Sequence, residues 1–411
     1  MYRRAIAPLA HAALADTPVL LLHGARQTGK STLAQSLDAG RRHLTLDDPV
    51  VLAAALADPF GFIDGLQQPV CLDEVQRAPG IFLAIKAAVD RQRQPGRFLL
   101  TGSANVLLLP QMADSLAGRM EVLELWPLAQ SEISDEVAGR PVSVIDQLFS
   151  GNFAPRHAFE RQDFITRLLA GGYPEALARS SERRRQAWFD SYLATILQRD
   201  VRDLAQIEGL TELPRLLQLL AARSGGLLNM AELSRSTGLA QTTLRRYMGL
   251  LEALFLVRQV PAWSSNLGKR LQKSPKLYVS DYGLMAHLQA LDAAALAQAP
   301  GLPGDVVEAF VHAELAKHQS WASQRTRLMH YRTSTGVEVD FVLENRRGQL
   351  LGIEVKAAKT LSAKSFSGLR HLRETAPEQF VRGVVLYTGE EVVPFDEQLV
   401  AVPMAMLWGS L

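Results

Sequence analysis

The sequence predicts an α/β fold class with a parallel sheet, and two observations carry this prediction. Five short β-rich runs between residues 18 and 126 alternate with stretches of helical periodicity, which is typical of a parallel sheet covered on both faces. A glycine-rich loop separates the first run from the first helix, at the sheet edge where such folds bind ligands. The expected strands lie in PVLLLHG, RRHLTLDD, PVCLDEV, GRFLLTGS and MEVLELW.

Length and composition are those of a folded protein with several domains. The 411 residues exceed what one core usually organises, and 47% hydrophobic against 21% charged residues excludes a largely disordered chain. The formal net charge of +2 neither requires nor excludes nucleic acid, because a basic face can exist on a nearly neutral protein. We expect a sheet domain in residues 1–130, a helical region in 131–222, a helix-turn-helix in 223–290 and a second α/β domain in 291–411.

A cytoplasmic location without a membrane partner is expected. Cys71 is the single cysteine, so no internal disulfide can form, which suits a reducing compartment. The first 18 residues imitate a secretory signal, with Arg3 and Arg4 ahead of an apolar stretch, but Pro8 and His11 interrupt that stretch. No uncharged apolar run approaches membrane-spanning length. The sequence therefore predicts a soluble protein.

The loop GARQTGKS, residues 24–31, fits the phosphate-binding pattern GxxxxGK[ST]. Its glycines let the backbone wrap around phosphates, and its amide groups and the following helix N-terminus face the negative charge. Lys30 can reach the outer phosphates, and Ser31 can bind magnesium. The predicted nucleotide contacts are Gly24, Gln27, Thr28, Gly29, Lys30, Ser31 and Thr32.

The run PVCLDEV ends in two acidic residues, Asp73 and Glu74. Asp73 can hold the shell of a magnesium ion, and Glu74 can polarise an attacking water. An acidic corner between strand and loop is the alternative interpretation. The spacing after a phosphate loop favours the catalytic one.

Three later segments carry weaker candidates. Ser103 or Asn105, after the strand FLLTG, can contact the γ-phosphate or the attacking water, or can cap the next element. Arg119 can act catalytically by sensing phosphate, within its own subunit or across to a neighbour, or can simply end a helix. Arg199 and Asp200 are expected to form an exposed or inter-domain ion pair, with nucleotide sensing as the alternative.

Together these segments resemble a known family. The series GARQTGKS, CLDEVQ, LLTGSAN and LAGR, followed by LLAGGYPEAL and YLATILQRDV, is similar to bacterial and archaeal AAA-type ATPases with a C-terminal domain of unknown function. The likeness covers nearly the whole chain and rests on the order of the motifs. It implies an AAA-like sheet, adenine nucleotide as ligand and assembly into a homo-oligomer. For Arg119 it implies charge stabilisation at the γ-phosphate, without saying from which subunit.

The segment NMAELSRSTGLAQTTLRRYMGLLEALFLV predicts a helix, a turn at Gly238, a second helix and a β-rich run. That order is the layout of a winged helix-turn-helix, and the basic NLGKRLQKSPK that follows suits phosphate contacts. A module used only for packing, with solvated arginines, is the alternative. The candidate DNA contacts on the second helix are Gln241, Thr242, Arg245 and Arg246.

The stretch GVEVDFVLENRRGQLLGIEVKA, residues 336–357, predicts two strands joined by a turn at residues 345–349. In that register Asp340 lies opposite Glu354 and Glu338 opposite Lys356, on one face. Facing carboxylates repel unless positive charge lies between them. A magnesium ion would satisfy that requirement. Lys356 beside it could stabilise the attacking hydroxide or the negative charge that develops on a phosphorane.

This D…ExK arrangement resembles the restriction-endonuclease-like superfamily over roughly residues 305–390. Its members often add a glutamate from the preceding helix, and Glu308 is the matching residue. The alternative is a nuclease fold without nuclease chemistry, in which Glu338 pairs with Lys356, and Arg332 or Lys359 neutralises the remainder. The residues of this second candidate site are Glu308, Asp340, Glu354 and Lys356.

The sequence thus predicts a protein that binds ATP and Mg²⁺, hydrolyses the ATP and couples turnover to binding or remodelling of nucleic acid. Duplex or branched DNA is the expected macromolecular partner. Two alternatives stay open: a nucleotide-controlled switch that binds a protein partner, and an ATP-dependent DNA nuclease.

Overall fold

The computed structural model describes residues 2–38, 40–103, 116–134, 142–153, 159–201, 210–266, 268, 270 and 273–408. The chain forms two compact units. The N-terminal unit comprises residues 4–127 and 249–256, and the C-terminal unit comprises residues 1–3, 128–248 and 257–411. The four-part division expected from the sequence stays a prediction. No helix within the described ranges combines the length and apolarity needed to cross a membrane.

A five-stranded sheet, parallel throughout, forms the centre of the N-terminal unit. Its strand order is β2-β3-β4-β1-β5, so the first strand lies between the fourth and the fifth. The five β-rich runs of the sequence are confirmed as strands. They are β1 (Val19–His23), β2 (Arg42–Thr45), β3 (Val70–Asp73), β4 (Phe98–Gly102) and β5 (Met120–Glu124).

Continuous apolar runs form the three central strands β1, β3 and β4, because helices cover the sheet. The edge strands β2 and β5 are more polar and only partly buried. Leu21, Leu72 and Leu100 of three neighbouring strands are fully buried together with Ile85 of a helix. Burial of a side chain of that size contributes roughly 2 kcal/mol. The helices are α1 (Ala7–Asp16), α2 (Lys30–Leu37), α3 (Pro49–Ala57), α4 (Pro59–Asp64) and α5 (Ile81–Arg91).

The helix, turn, helix and strand expected after residue 229 are present. The first helix ends at Gly238, whose φ of +74° is the left-handed conformation that suits glycine after a helix. The second helix is followed by a two-stranded antiparallel ribbon, β6 with β7. Whether this arrangement acts as a winged helix stays a prediction. The elements are α6 (Gln130–Ile133), α7 (Val144–Ser150), α8 (Arg161–Ala170), α9 (Pro174–Leu177), α10 (Glu182–Thr195), α11 (Leu213–Ala221), α12 (Met230–Thr237), α13 (Gln241–Ala253), β6 (Val257–Val260) and β7 (Lys276–Val279).

A six-stranded mixed sheet of order β12-β13-β11-β10-β9-β8 follows. Leu350 pairs with Glu344 and Ile353 with Phe341, which confirms the hairpin turn predicted at residues 345–349. Phe341 and Ile353 are fully buried. The elements are α14 (Tyr282–Leu288), α15 (Ala293–Gln298), α16 (Gly304–Gln319), β8 (Thr326–Arg332), β9 (Glu338–Asn345), β10 (Leu350–Lys356), α17 (Ser367–Thr375), β11 (Phe380–Tyr387), β12 (Val393–Pro394) and β13 (Leu399–Pro403).

Candidate nucleotide-binding site

The predicted phosphate loop connects β1 to α2 and is curled by three residues with positive φ. Gly24, Gln27 and Gly29 have φ values of +150°, +62° and +93°. The Lys30 ammonium is buried and donates hydrogen bonds to the carbonyls of Gly24 at 3.0 Å and Ala25 at 2.8 Å. These two carbonyl groups therefore hold the Lys30 ammonium over the loop. The oxygens of a bound phosphate could replace the carbonyls as hydrogen-bond acceptors for Lys30.

A residue that the sequence interpretation missed braces this loop. The guanidinium of Arg4 donates to the carbonyl of Thr28 at 2.7 Å and to the carbonyl of Trp126 at 2.7 Å. Thr28 itself donates from its hydroxyl to the carbonyl of Ala25 at 2.9 Å. No sequence pattern marks Arg4, because its partners are backbone groups that any residue offers.

Two predicted magnesium ligands face each other. The Ser31 hydroxyl donates to the Asp73 carboxylate at 2.9 Å. On its other oxygen Asp73 accepts a hydrogen bond from the hydroxyl of Thr101, a buried residue of the neighbouring strand β4. A serine hydroxyl and a carboxylate are oxygen ligands of the kind that Mg²⁺ prefers, so the residues present fit that ion. Thr101 was missed, although a threonine near the end of an apolar strand beside Asp73 is a usable signal.

Glu74 is held in one position by two neighbours. Its own backbone is left-handed, with φ of +60°, a conformation that non-glycine residues rarely adopt outside functional sites. The Ser103 hydroxyl donates to the Glu74 carboxylate at 2.8 Å, and Gln76 donates both to that carboxylate and to the Ser103 oxygen at 3.0 Å. Ser103 thus lies next to Glu74 as a positioning group. Gln76 was missed.

The remaining candidates of the sequence are placed differently. Arg119 forms an ion pair with Asp90 of α5, with Nε–Oδ1 at 2.5 Å and Nη2–Oδ2 at 3.0 Å. Its hydrogen bond holds the pKa of the Asp90 carboxyl below its ordinary value. Thr32 is exposed on α2. Asn105 and the side chains of Arg199 and Asp200 lie outside the described residues. The phosphate-sensing role of Arg119 stays a prediction.

Gly24→Ala is expected to abolish nucleotide binding. A Cβ atom at this position would lie 2.2 Å from the carbonyl oxygen of Leu125, so the loop or the end of β5 must move. Steric changes of this kind typically cost about 1–3 kcal/mol or more. Titration with a fluorescent ATP analogue measures the loss. Gly336→Ala is the control, since its φ of +88° is also positive but nothing lies within 4 Å of the added atom. Normal ATP affinity in Gly24→Ala would contradict the assignment of this loop.

The second candidate site contains an internal cation that the sequence interpretation did not include. The buried Lys276 ammonium, at the start of β7, lies 2.9 Å from Glu308, 2.6 Å from Glu338 and 3.6 Å from Asp340. The Tyr278 hydroxyl also donates to Glu308, at 2.5 Å. Burial alone would lower the pKa of Lys276, but the charges of Glu308 and Asp340 override it and raise that pKa. Lys276 is therefore a permanently charged centre among these carboxylates.

Beside this centre, Glu354 and Lys356 of β10 form their own pair, with Nζ–Oε1 at 2.6 Å. Asp340 accepts a hydrogen bond from the backbone N–H of Val355 at 2.8 Å. Burial, followed by the charge of Asp340, raises the pKa of Glu308 to about 7 and that of Glu354 to about 8. Burial likewise raises the pKa of Asp340. The cluster thus has more carboxyl groups than nearby cations can fully compensate.

The four residues predicted for this site do come together with Glu338. In the alternative interpretation Glu338 pairs with Lys356, and Arg332 or Lys359 neutralises the remaining charge. The first pairing is wrong, because Lys356 pairs with Glu354 and Glu338 pairs with Lys276, whereas Arg332 does contact Glu338, at 2.8 Å. Within the described part of the chain, no group of three or more His, Cys, Asp and Glu side chains is arranged to hold a metal ion. Lysine at the head of an otherwise apolar strand, KLYV, is the signal that could have revealed Lys276.

The candidate DNA-contacting residues all lie on the accessible side of α13. Its buried positions, Leu244, Tyr247, Met248 and Leu251, recur at three- and four-residue spacing. The opposite positions remain exposed to solvent. These are Gln241, Thr242, Arg245 and Arg246.

The parallel sheet, the curled loop and the acidic end of β3 define the class, an AAA-type P-loop ATPase, and comparisons with known proteins agree. Residues 16–134 match the model of an AAA domain. Residues 161–295 and 303–407 match two domains of unknown function, DUF8612 and DUF4143. The match to DUF4143 falls on the region in which the sequence resembles restriction endonucleases, and it does not by itself assign a nuclease fold.

The chain belongs to the same family as two mycobacterial proteins. It is 34% identical over 404 residues to the uncharacterized protein Rv2008c of Mycobacterium tuberculosis, a match that covers 98% of this chain and 83% of that protein. The uncharacterized protein Mb2031c of Mycobacterium bovis matches with the same identity and coverage.

Solved structures of ATPases resemble the chain more loosely. The Walker-type ATPase PABY2304 of Pyrococcus abyssi has a TM-score of 0.42 and 12% identity, over 70% of this chain and 96% of its own. A RuvB variant of Thermotoga maritima has a TM-score of 0.28 and 18% identity, over 62% of this chain and 87% of its own. The assignment to the AAA-type ATPases therefore depends on the family match and on the geometry of the site.

Proposed function

We propose that the N-terminal unit hydrolyses ATP at the loop of residues 24–31, and that turnover controls how the chain binds nucleic acid. The observation that carries the first part is a pair of hydrogen-bonded groups. Ser31 donates to Asp73, and Ser103 and Gln76 both donate to Glu74. It supports a magnesium-binding edge next to a fixed carboxylate, the combination that phosphoryl transfer requires.

In this proposal each residue has one task. Lys30 leaves the carbonyls of Gly24 and Ala25 and neutralises the outer phosphate oxygens. Ser31 and Asp73 hold Mg²⁺, which when bound supplies positive charge to the phosphates. Glu74, oriented by Ser103 and Gln76, accepts a hydrogen bond from the attacking water and aligns it with the γ-phosphate.

Coupling to nucleic acid is supported by the segment that follows α13. Within the N-terminal unit, Phe255 packs edge-on against His23, with ring centroids 5.4 Å apart. His23 is the residue immediately before Gly24 of the phosphate loop. Phe255 follows the helix that presents Arg245 and Arg246. A nucleotide-dependent shift of the phosphate loop would therefore reach that helix through His23 and Phe255.

The test is DNA affinity measured by fluorescence anisotropy at low and moderate salt, with ATP or ADP present. We expect the DNA affinity to differ between the ATP-bound and ADP-bound protein. Arg245→Gln with Arg246→Gln should weaken DNA binding about tenfold or more, because two phosphate contacts are lost. The salt slope should fall by roughly one for each lost contact. Arg183→Gln with Arg184→Gln, which removes two exposed arginines of α10, is the matched control. Failure of the wild type to bind any DNA at low salt would instead favour a switch that binds a protein.

The nuclease alternative receives less support from the contacts at Lys276. An ammonium that already bridges Glu308, Glu338 and Asp340 compensates the charge that a divalent ion would otherwise neutralise. We therefore propose that this cluster stabilises the junction of β7, α16 and β9, and that DNA cleavage is not its main task.

A further inference from the structure

A second basic surface lies at the end of the β8–β9 hairpin opposite its connecting turn, and it shares no residue with either site predicted from the sequence. Thr326 pairs with Asn345 and Arg327 with Glu344 in the antiparallel register. Arg325 immediately precedes β8 and Arg346 immediately follows β9, so both flank the pair of Thr326 and Asn345. A pocket of about 510 Å³ opens there. It is lined by Arg325, Thr326, Arg327, Glu344, Asn345, Arg346 and Gly348.

The charge of this pocket is positive. Arg325, Arg327 and Arg346 are exposed. The pocket's carboxylate, Glu344, is engaged by Arg270, whose two terminal nitrogens donate to its two oxygens at 2.7 and 2.9 Å. The hydrogen bonds from Arg270 hold the pKa of Glu344 below its ordinary value, so this carboxyl stays ionised and paired. The three lining arginines therefore add a charge that Glu344 does not cancel.

We propose that this arginine pocket binds the phosphate backbone of a single nucleic-acid strand. Guanidinium groups recognise phosphate through paired, planar hydrogen bonds that ammonium groups cannot reproduce, and all three lining cations are arginines. Three exposed guanidinium groups in one pocket offer more donors than a single phosphate group uses, which suits a chain of phosphates rather than one small anion.

The inference rests on the proposed function in one respect, the choice of nucleic acid as partner. It goes beyond that proposal because it assigns contacts to the β8–β9 hairpin, which is remote in sequence from α13. The pocket contacts backbone phosphates, so its binding is independent of base sequence.

The test is binding of a labelled single-stranded oligonucleotide to the full chain, followed by anisotropy over a range of salt concentrations. The pocket variant is Arg325→Gln, Arg327→Gln and Arg346→Gln together. Arg183→Gln, Arg184→Gln and Arg215→Gln, three exposed arginines on helices, form the control. A lysine version of the pocket variant keeps the charge, and basal ATP hydrolysis reports that each protein is folded.

We expect the glutamine pocket variant to bind at least about tenfold more weakly and its salt slope to fall by about two, since each phosphate contact to a single strand contributes roughly 0.7 to that slope. The control should bind within about twofold of the wild type, and the lysine version should lie between the two. Equal binding by the wild type and the glutamine variant would overturn this inference and leave the proposed function intact. A wild type that binds duplex or branched DNA but not the single strand would overturn this inference alone, whereas a wild type that binds no DNA form would overturn this inference and the proposed coupling to nucleic acid.

Competition with inorganic tripolyphosphate separates a strand from a free polyphosphate. We expect tripolyphosphate, at equal total phosphate, to displace the oligonucleotide far less well than unlabelled strand does. Equal displacement would show that the pocket takes small polyanions and would overturn the assignment to nucleic acid.

Discussion

Glu74→Gln is expected to leave ATP binding nearly unchanged and to lower the rate of ATP hydrolysis about 100-fold or more. The amide keeps the shape of the side chain and can still pair with Ser103 and Gln76, but it loses the negative charge that polarises water. Losses of about 10²–10³ are typical when one preorganised group stops stabilising a transition state. Single-turnover hydrolysis and ATP titration of the same protein separate the two effects.

Lys30→Ala is the complementary change at the same site. Because the Lys30 ammonium is the cation held over the loop by Gly24 and Ala25, its loss should weaken ATP binding and turnover together. Asp64→Asn, at an exposed carboxylate that pairs with Arg91, is the control and should change neither quantity. Undiminished turnover in both Lys30→Ala and Glu74→Gln would show that hydrolysis takes place elsewhere.

Lys276→Met is expected to destabilise the C-terminal unit by about 3–5 kcal/mol, the usual cost of removing one partner from buried charges. Glu308, Glu338 and Asp340 would lose their shared cation and repel one another. Urea denaturation followed by tryptophan fluorescence measures the change. Lys273→Met, which alters a lysine only three residues away that donates to the carbonyl of Arg332, should cost less than about 1 kcal/mol.

The pH dependence of this defect follows from the same groups. A lysine whose folded pKa is raised stabilises fully below its unfolded pKa, here 10.5, and that contribution is lost only as pH rises through the folded value. Glu308 and Glu354 have folded pKa values raised to about 7 and about 8, so they favour folding at acid pH and lose that contribution as pH rises from about 4.5 to 8.

The defect of Lys276→Met should therefore be smaller near pH 5 than near pH 8, because Glu308 and Glu354 are protonated at pH 5. Part of the defect should remain at pH 5, because the hydrogen bond from Lys276 outweighs burial and lowers the pKa of Glu338, whose carboxylate stays ionised. Tyr278 and Lys356 contact the same carboxyls, and their raised pKa values keep each of them in one charge state over this range. Glu308→Gln in the Lys276→Met background should recover part of the loss at pH 8. A defect of equal size at both pH values would contradict the charge account and point to lost packing.

Local patterns were enough to predict the strands of the N-terminal sheet and the β9–β10 hairpin. The three central strands of that sheet are continuous apolar runs, and the register of the hairpin follows from the turn at residues 345–349. Lys30, Asp73 and Glu74 were found because their spacing belongs to a loop and a strand end. Such signals lie within a few residues of each other.

Contacts between distant segments could not be predicted in the same way. Thr101 meets Asp73, and Arg4 meets Trp126, only because the sheet folds those residues together. Lys276 reaches Glu308 and Glu338 from strand β7, which no local pattern connects to the hairpin. Without Lys276, both interpretations of the sequence lacked one of the cations that contact these carboxylates.

We propose that this AAA-type protein hydrolyses ATP at residues 24–31 and that ATP turnover and nucleic-acid binding are coupled. Steady-state phosphate release by the wild type, alone and with single-stranded, duplex or four-way-branched DNA, tests this coupling most directly, with Glu74→Gln as the blank. We expect a measurable basal rate that at least one DNA form increases severalfold. Hydrolysis that is indifferent to every DNA form, or equal in Glu74→Gln, would contradict it.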